Sequence, residues 1–247
     1  MINIILCGCQ GHMGKTVTEL ANELSDTKIV AGVDIKNDLS ADYPVYSDIF
    51  DVNEKADVII DFSHPSLLQN ILNFAKSNGM PAVIATTGNS EQDIARIEST
   101  AKTIPVFFSY NMSMGISLIT ELAVKAKKVL GNAFDIEIIE KHHNKKIDAP
   151  SGTAIMLANA LNADGNYSYV YDRHLKKQAR SENEIGISSV RAGSIVGEHS
   201  VIFAGIDEVI EIKHTAYSKK IFASGALNAA RWVINQPIGL YSMKDIV

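Results

Sequence analysis

At 247 residues the chain is long enough for one large domain or two small ones, and two is the preferred reading. Apolar residues make up 46% and charged residues 21%, an ordinary globular balance with no sign of a disordered tail. A formal net charge of -5 argues against nucleic acid as the main partner, because phosphate binding needs basic surface over a wide area.

Cys7 and Cys9 are the only two cysteines and flank a glycine after an apolar run. That spacing suits no metal and reads as reduced thiols in a cytoplasmic protein. Met1 to Leu6 is too short for the apolar segment of a secretion signal, and no run approaches the ~18 apolar residues of a membrane span.

Ile2 to Leu6 predicts a strand buried on both faces of a parallel sheet. The turn Gly8-Cys9-Gln10-Gly11-His12-Met13-Gly14 follows, then a helix with Val17, Leu20, Ala21 and Leu24 at helical spacing. Gly14-Lys15-Thr16 looks like the end of a P-loop, but that motif needs a glycine where Cys9 stands. Gly8, Gly11 and Gly14 instead give G-x-x-G-x-x-G, one position away from the dinucleotide fingerprint. The next strand, Lys28 to Val33, ends at Asp34, about twenty residues past Gly14, where a ribose-binding acid belongs. Asp34 favours NAD, whereas Lys36 offsets the charge of a 2′-phosphate, so the choice between NADH and NADPH stays open with dual use preferred. The competing reading is that Asp34 only caps a turn.

Ala56 to Ser63 predicts a third strand, and Pro65 starts a helix ending in a left-handed cap at Asn78-Gly79. Pro81 to Ala85 is a fourth strand, with Thr86-Thr87-Gly88 at its carboxyl end, where ligands sit in doubly wound sheets. Ser90 with Asp93 opens the next helix, and the strand Pro105 to Phe108 leads into the polar loop Ser109-Tyr110-Asn111-Met112-Ser113. The reading is an α/β fold, with a Rossmann-type doubly wound parallel sheet over residues 1–113. The helical end of the chain, Phe222 to Ile234 with Trp232 on its buried face, returns to this unit, which therefore takes 219–247.

Residues 114–218 read as a second, α+β domain for substrate binding and oligomerisation. Its amphipathic helix (Leu118, Ile119, Leu122, Ala123, Ala126) precedes a strand from Asp135 to Glu140. Ile187 to Arg191, Ile195 to Phe203 and Val209 to His214 are separated by short turns and predict an antiparallel meander. The result is an open mixed sheet whose apolar face needs a cover, and self-association supplies one.

The stretch Glu140 to Ala154 is the most informative, because Lys141, His142, His143, Lys145 and Lys146 fall together in an acidic chain. Directly after them Asp148-Ala149-Pro150-Ser151-Gly152-Thr153 reads as a turn into an Ala/Leu-rich helix, with Asp148 or Ser151 as N-cap and first-turn amides that attract anions. A pocket for a small, multiply charged anion beside titratable groups follows. Adjacent histidines on a strand face opposite ways, so His142 and His143 divide the work. Lys146 among cations has a lowered pKa and becomes a better proton donor. The competing readings are a solvated lysine loop with quietly packed histidines, and a metal site; the second is rejected for want of ligand spacing.

With these residues in place, the chain resembles the dihydrodipicolinate reductase family over nearly its whole length. Glu140 to Ala154 is similar to the family's E-x-H-H-x-x-K-x-D-A-P-S-G-T-A signature, and Asp61-Phe62-Ser63, Arg191-Ala192-Gly193 and Val196-Gly197-Glu198-His199 match as well. The resemblance implies hydride transfer from NADH or NADPH to a cyclic dicarboxylate imine, giving tetrahydrodipicolinate, in a homotetramer assembled through the second domain's sheet. It implies His142 and Lys146 as proton donors, and His143, Gly152 and Thr153 as holders of substrate carboxylates. Gly8, Cys9, Gln10, Gly11, His12, Met13, Asp34, Ala85, Thr86, Thr87, Ser109, Tyr110, Asn111 and Met112 would line the cofactor. Ala85 replaces the first glycine of the usual G-T-T-G, and Ser218-Lys219 stands where S-R is typical. A non-catalytic, dinucleotide-sensing regulator of the same fold is the alternative.

Overall fold

The computed structural model describes residues 1–35, 41–171, 173–174 and 176–247, so the expectation placed on Lys36 lies outside the described residues. The chain divides into two compact units, Met1–Met114 with Lys219–Val247, and Gly115–Ser218.

The first unit begins with β1 (Ile2–Cys7), α1 (His12–Asn22), β2 (Thr27–Val33), β3 (Val45–Tyr46) and β4 (Val58–Asp61). It continues through α2 (Leu68–Ser77), β5 (Ala82–Ile84), α3 (Glu91–Thr100) and β6 (Pro105–Phe108). Pro65 opens a 3-10 turn, Pro65–Leu67, and the α-helix starts only at Leu68. The His64 ring, accepting from the Ser66 N–H at 3.2 Å, tightens that entry. Gly79, at φ +60°, supplies the left-handed residue after α2, and Ser90 and Asp93 form a reciprocal capping box on α3.

The second unit holds α4 (Met114–Leu130), β7 (Asp135–His142), α5 (Gly152–Leu161), β8 (Ser168–Val170), β9 (Glu184–Arg191), β10 (Gly197–Ala204) and β11 (Val209–Ala216). The chain then re-enters the first unit as α6 (Lys220–Val233) and β12 (Gly239–Tyr241).

The seven-stranded sheet of the first unit runs β12-β6-β5-β4-β1-β2-β3, and every pairing is parallel. Side chains alternate across a strand, so β1 sends Ile4 and Leu6 to one face and Ile5 and Cys7 to the other. Ile4 and Leu6 join Val17 of α1 and Ala226, Leu227 and Ala230 of α6, while Ile5 and Cys7 join Ile71 and Leu72 of α2 and Ile97 of α3. Both faces are covered, which is why the strand reads as an unbroken apolar run. Trp232 is half-buried, edge-on to Phe107 and Tyr241, with its remaining surface in solvent. β1 lies between β2 and β4, so the strand order reverses there and a crevice opens beyond its carboxyl end.

The five-stranded sheet of the second unit is mixed, in the order β11-β10-β7-β9-β8. Only β10 and β11 form the expected hairpin; β7 inserts between β9 and β10, parallel to the first and antiparallel to the second. The meander is thus corrected, and two physical reasons account for it. β7 buries Ile136, Ile138, Glu140 and His142 and belongs at the centre, whereas β11 leaves Val209 and Glu211 in solvent and suits an edge. The Ala192-Gly193 turn also bonds to β7, Ala192 N–H donating to the His142 carbonyl and Asn144 N–H to that of Gly193, so it bridges the end of β7 instead of folding β9 onto β10. One sheet face packs Ile136, Ile138, Ile187, Val201 and Phe203 against α4 and α5. The opposite face carries the ladder Lys141–Glu198–Lys213, with Nζ to oxygen distances of 2.5 and 3.0 Å.

Candidate functional site

In the first unit the glycine turn is fixed by steric necessity. Gly8 sits at φ +76°, and a Cβ there would lie 2.6 Å from the Phe62 carbonyl oxygen. A Cβ on Gly14 would overlap the Gly8 carbonyl and the Cys9 backbone. Gly11 precedes α1 without a side-chain cap, so the first-turn N–H groups from His12 onward remain available to an anion. Asp34, just past β2, accepts from the Gln10 N–H at 2.9 Å and ties the acid to the turn.

A cleft of about 410 Å³ brings together Gly8, Gly11, Val33, Asp34, Phe62, Ser63, His64 and Leu67. A second, of about 300 Å³, brings together Met13, Phe62, Ser63, Ala85, Thr86, Thr87, Tyr110, Met112 and Phe222. They share Phe62 and Ser63 and follow the carboxyl ends of the strands. Glycine cradle, uncapped helix start, terminal acid and elongated cleft all fit a dinucleotide. The buried Asp61 braces the second cleft, accepting from Ser63 N–H at 2.9 Å and Thr86 Oγ1 at 2.8 Å; burial pushes its carboxyl up despite these bonds.

Some predicted cofactor residues stand differently. The Cys9 side chain is buried against Gly32, and burial lifts its thiol to about 11, so only its backbone can serve a ligand. Cys9 and Gln10 line a separate pocket with Lys15, Thr18 and Tyr43, while His12 is exposed at the start of α1. Ser109 and Asn111 brace their loop: Ser109 Oγ donates to the Asn111 carbonyl at 2.8 Å, and Asn111 Oδ1 accepts from Ser113 N–H at 2.9 Å. Phe62, Ser63, His64 and Phe222 were absent from the sequence-based site, although Phe62 and Ser63 end a strand where ligands gather.

In the second unit β7, the turn after it and the start of α5 converge. Ser151 is the N-cap of α5, its Oγ accepting from Ala154 N–H at 3.2 Å, and Asp148 instead pairs with Lys146 Nζ at 2.9 Å. Gly152, exposed, and Thr153, half-buried, open the first turn, and a Cβ on Gly152 would meet nothing within 4 Å. His143 and Lys146 close the intervening turn through the Lys146 N–H and the His143 carbonyl. The cation cluster seen in the sequence is largely matched in space, since Lys141 meets Glu198, Lys146 meets Asp148, and His142 meets Glu140.

Glu140 is fully buried and is the centre of this arrangement. Its Oε2 meets His142 Nδ1 at 2.5 Å and Arg191 Nη1 at 2.8 Å; its Oε1 accepts from Ser151 N–H at 3.1 Å and Arg191 Nη2 at 2.7 Å. Burial alone would raise this carboxyl, but the bonds from Arg191, Ser189, His142 and Ser151 hold it at about 2. Burial lowers His142, assisted by the charges of Lys146 and Arg191 and opposed by Glu140. His199 stacks edge-on to His142 at 5.1 Å, meets Ser151 Oγ through Nε2 at 3.0 Å, and is pushed down to about 4 by burial. Sequence reasoning gave no role to Glu140, Arg191 or His199. A carboxylate at a core-facing position of β7 was the available signal, because it must find a partner.

Comparison with known proteins places this geometry in a family. The family models described as the N-terminus and the C-terminus of dihydrodipicolinate reductase match residues 2–112 and 115–247. A 4-hydroxy-tetrahydrodipicolinate reductase of Caldanaerobacter subterraneus subsp. tengcongensis is 52% identical over 249 residues, covering 100% of this chain and 98% of its own. One from Clostridium tetani is 47% identical, covering 98% and 96%. Among solved structures, a dipicolinate-bound dihydrodipicolinate reductase from Paenisporosarcina sp. TG-14 shares the fold at TM-score 0.85, with 24% identity and 100% of both chains covered. No described helix is long and apolar enough to cross a membrane. Two matched halves and close full-length relatives establish that the chain belongs to the dihydrodipicolinate reductase family.

Proposed function

We propose that this chain reduces a cyclic dicarboxylate imine, 4-hydroxy-tetrahydrodipicolinate or its dehydrated form, to tetrahydrodipicolinate in diaminopimelate and lysine biosynthesis, with NADH or NADPH as reductant. The carrying observation is that Glu140 joins His142 to Ser151 at the start of α5 and that the Lys146 charge acts on His142, so groups that can give a proton stand beside first-turn amides that attract an anion. The dipicolinate bound to the solved relative supports a dicarboxylate ligand.

When bound, the dihydronicotinamide supplies the hydride. Gly8, Gly11, Met13, Asp34, Ala85, Thr86, Thr87, Tyr110 and Met112 would hold the cofactor through the two clefts of the first unit, and Asp34 would accept from the ribose hydroxyls. We take both cofactors as usable. His143, Gly152 and Thr153 hold the carboxylates, and His142 or Lys146 supplies the proton that accompanies the hydride. Glu140 occupies His142 Nδ1, which leaves Nε2 to exchange that proton. The face bearing Ile139, Val190 and Ile202 supports assembly into a homotetramer through this sheet, and the free, buried Cys7 and Cys9 support a cytoplasmic setting.

The test supplies aspartate semialdehyde, pyruvate and the preceding synthase and follows oxidation of each cofactor. Turnover with at least one is expected; cofactor binding without product would favour the regulator, and no turnover with either rejects the proposal.

A further inference from the structure

We infer that Glu140 is a positioning residue, setting the tautomer of His142 and the placement of the first turn of α5 with one carboxylate. The inference rests on the proposed role of His142 and adds how that histidine is prepared.

An ionised carboxylate only accepts hydrogen bonds, so the His142 nitrogen facing it must carry a proton. The contact is to Nδ1 at 2.5 Å, which assigns the neutral ring the Nδ1–H form with Nε2 as the exchanging nitrogen. Nε2 has no hydrogen-bond partner among the described residues; its near neighbour is Gly197, where a Cβ would come within 3.2 Å. A side chain on Gly197 would therefore crowd the nitrogen that must stay accessible.

The same carboxylate takes Ser151 N–H on its other oxygen, and Ser151 caps α5. Ring and helix start are thereby referred to one rigid group, which the two-pronged Arg191 contact holds in plane. A buried carboxylate is costly, and replacing a buried ion pair by apolar residues is often neutral for stability. Stability alone thus gives little reason for a charge here, whereas proton placement does. The groups facing His142 are Glu140 on its own strand, Arg191 on β9, His199 on β10, and Lys146 with its partner Asp148 on the following turn.

Nitrogen-15 NMR of histidine-labelled wild-type protein, with His142 assigned by its loss in His142→Gln, reads the tautomer directly. Nδ1–H is expected above the ring's titration, and the Nε2–H form would overturn the inference. In Glu140→Gln the amide presents a donor to Nδ1 and favours the opposite tautomer. kcat should then fall by about 10²-fold, with the KM for NAD(P)H held within about twofold. Loss of a charge that raises His142 should also move the basic limb of the kcat profile to lower pH. Glu140→Asp, which keeps the charge, should restore the limb. Added to His142→Gln, Glu140→Gln should cost little further in kcat, because its effect on proton placement runs through that ring, while the amide oxygen of the glutamine can still accept from Ser151 N–H. An unchanged kcat and limb, or fully additive losses, would refute the role. Should Glu140→Gln fail to fold, the wild-type spectrum still decides. A wild type without turnover would reject the proposed function, while the spectrum continues to judge the positioning.

Discussion

Arg191→Met removes the charge that compensates Glu140 and keeps most of the side chain's length. In the wild type the carboxyl is held at about 2 against a reference of 4.5, a difference worth about 3 kcal/mol at ~1.4 kcal/mol per pH unit. That difference is the net of four donors against burial, whereas removing one partner of a buried pair costs about 3–5 kcal/mol in general, and this sets the size expected for Arg191→Met. The Glu140 pKa is depressed on folding, so its contribution is complete above its unfolded value. It fades as pH falls from about 4.5 toward 2. In the variant the carboxyl loses the foremost of the bonds that hold it down and its pKa rises, so the deficit is largest at neutral pH and shrinks on acidification. Amide hydrogen exchange reads the effect locally: a loss of ~3 kcal/mol should speed exchange in β7 and β9 by about 10²-fold at neutral pH, with β1 and β4 of the other unit as internal control. Unchanged protection in β7, or an equal rise in β1, would refute the assignment of Glu140 as an ionised, Arg191-compensated group.

Lys146→Ala should lower kcat by roughly 10²–10⁴-fold with the fold intact by circular dichroism, and full activity would end its role as proton donor. Gly14→Ala drives a methyl group into the Gly8 carbonyl and should weaken cofactor binding by at least about tenfold in a fluorescence titration, with affinity unchanged if the turn does not hold the dinucleotide. Asp34→Asn should weaken NADH by about tenfold and NADPH by less, since the lost acceptor serves the unphosphorylated ribose; equal losses would count against that contact.

Much of the first unit was legible because its signals are local. Unbroken apolar strands such as Ile2 to Leu6, glycines required by close backbone approach, and an acid about twenty residues on are each read within a short window. The second unit was less legible because pairing is not local. Nothing within Ile187 to Phe203 says that β7, some fifty residues earlier, lies between its two strands. The same distance hid the charge balance: Lys141 and His142 read as an excess of cations until β10 brings Glu198 and the strand alternation brings Glu140. Arg191 and His199 were visible as family matches, but their work lies in contacts 51 and 48 residues away in sequence.

The return of α6 and β12 to the first unit orders events during synthesis. Every residue that builds the second unit leaves the ribosome before Lys220, so that unit can complete its sheet while the first still lacks β12 at the edge of β6 and α6 over Leu6, Val83 and Phe107. Folding units generally close in the order they are made, but here the unit that starts first finishes last. Until then its nascent sheet presents an apolar face and an unpaired edge, the features that recruit chaperones and promote aggregation. A chain stopped after Ser218 should therefore be recovered as aggregate, with the second unit folded within it.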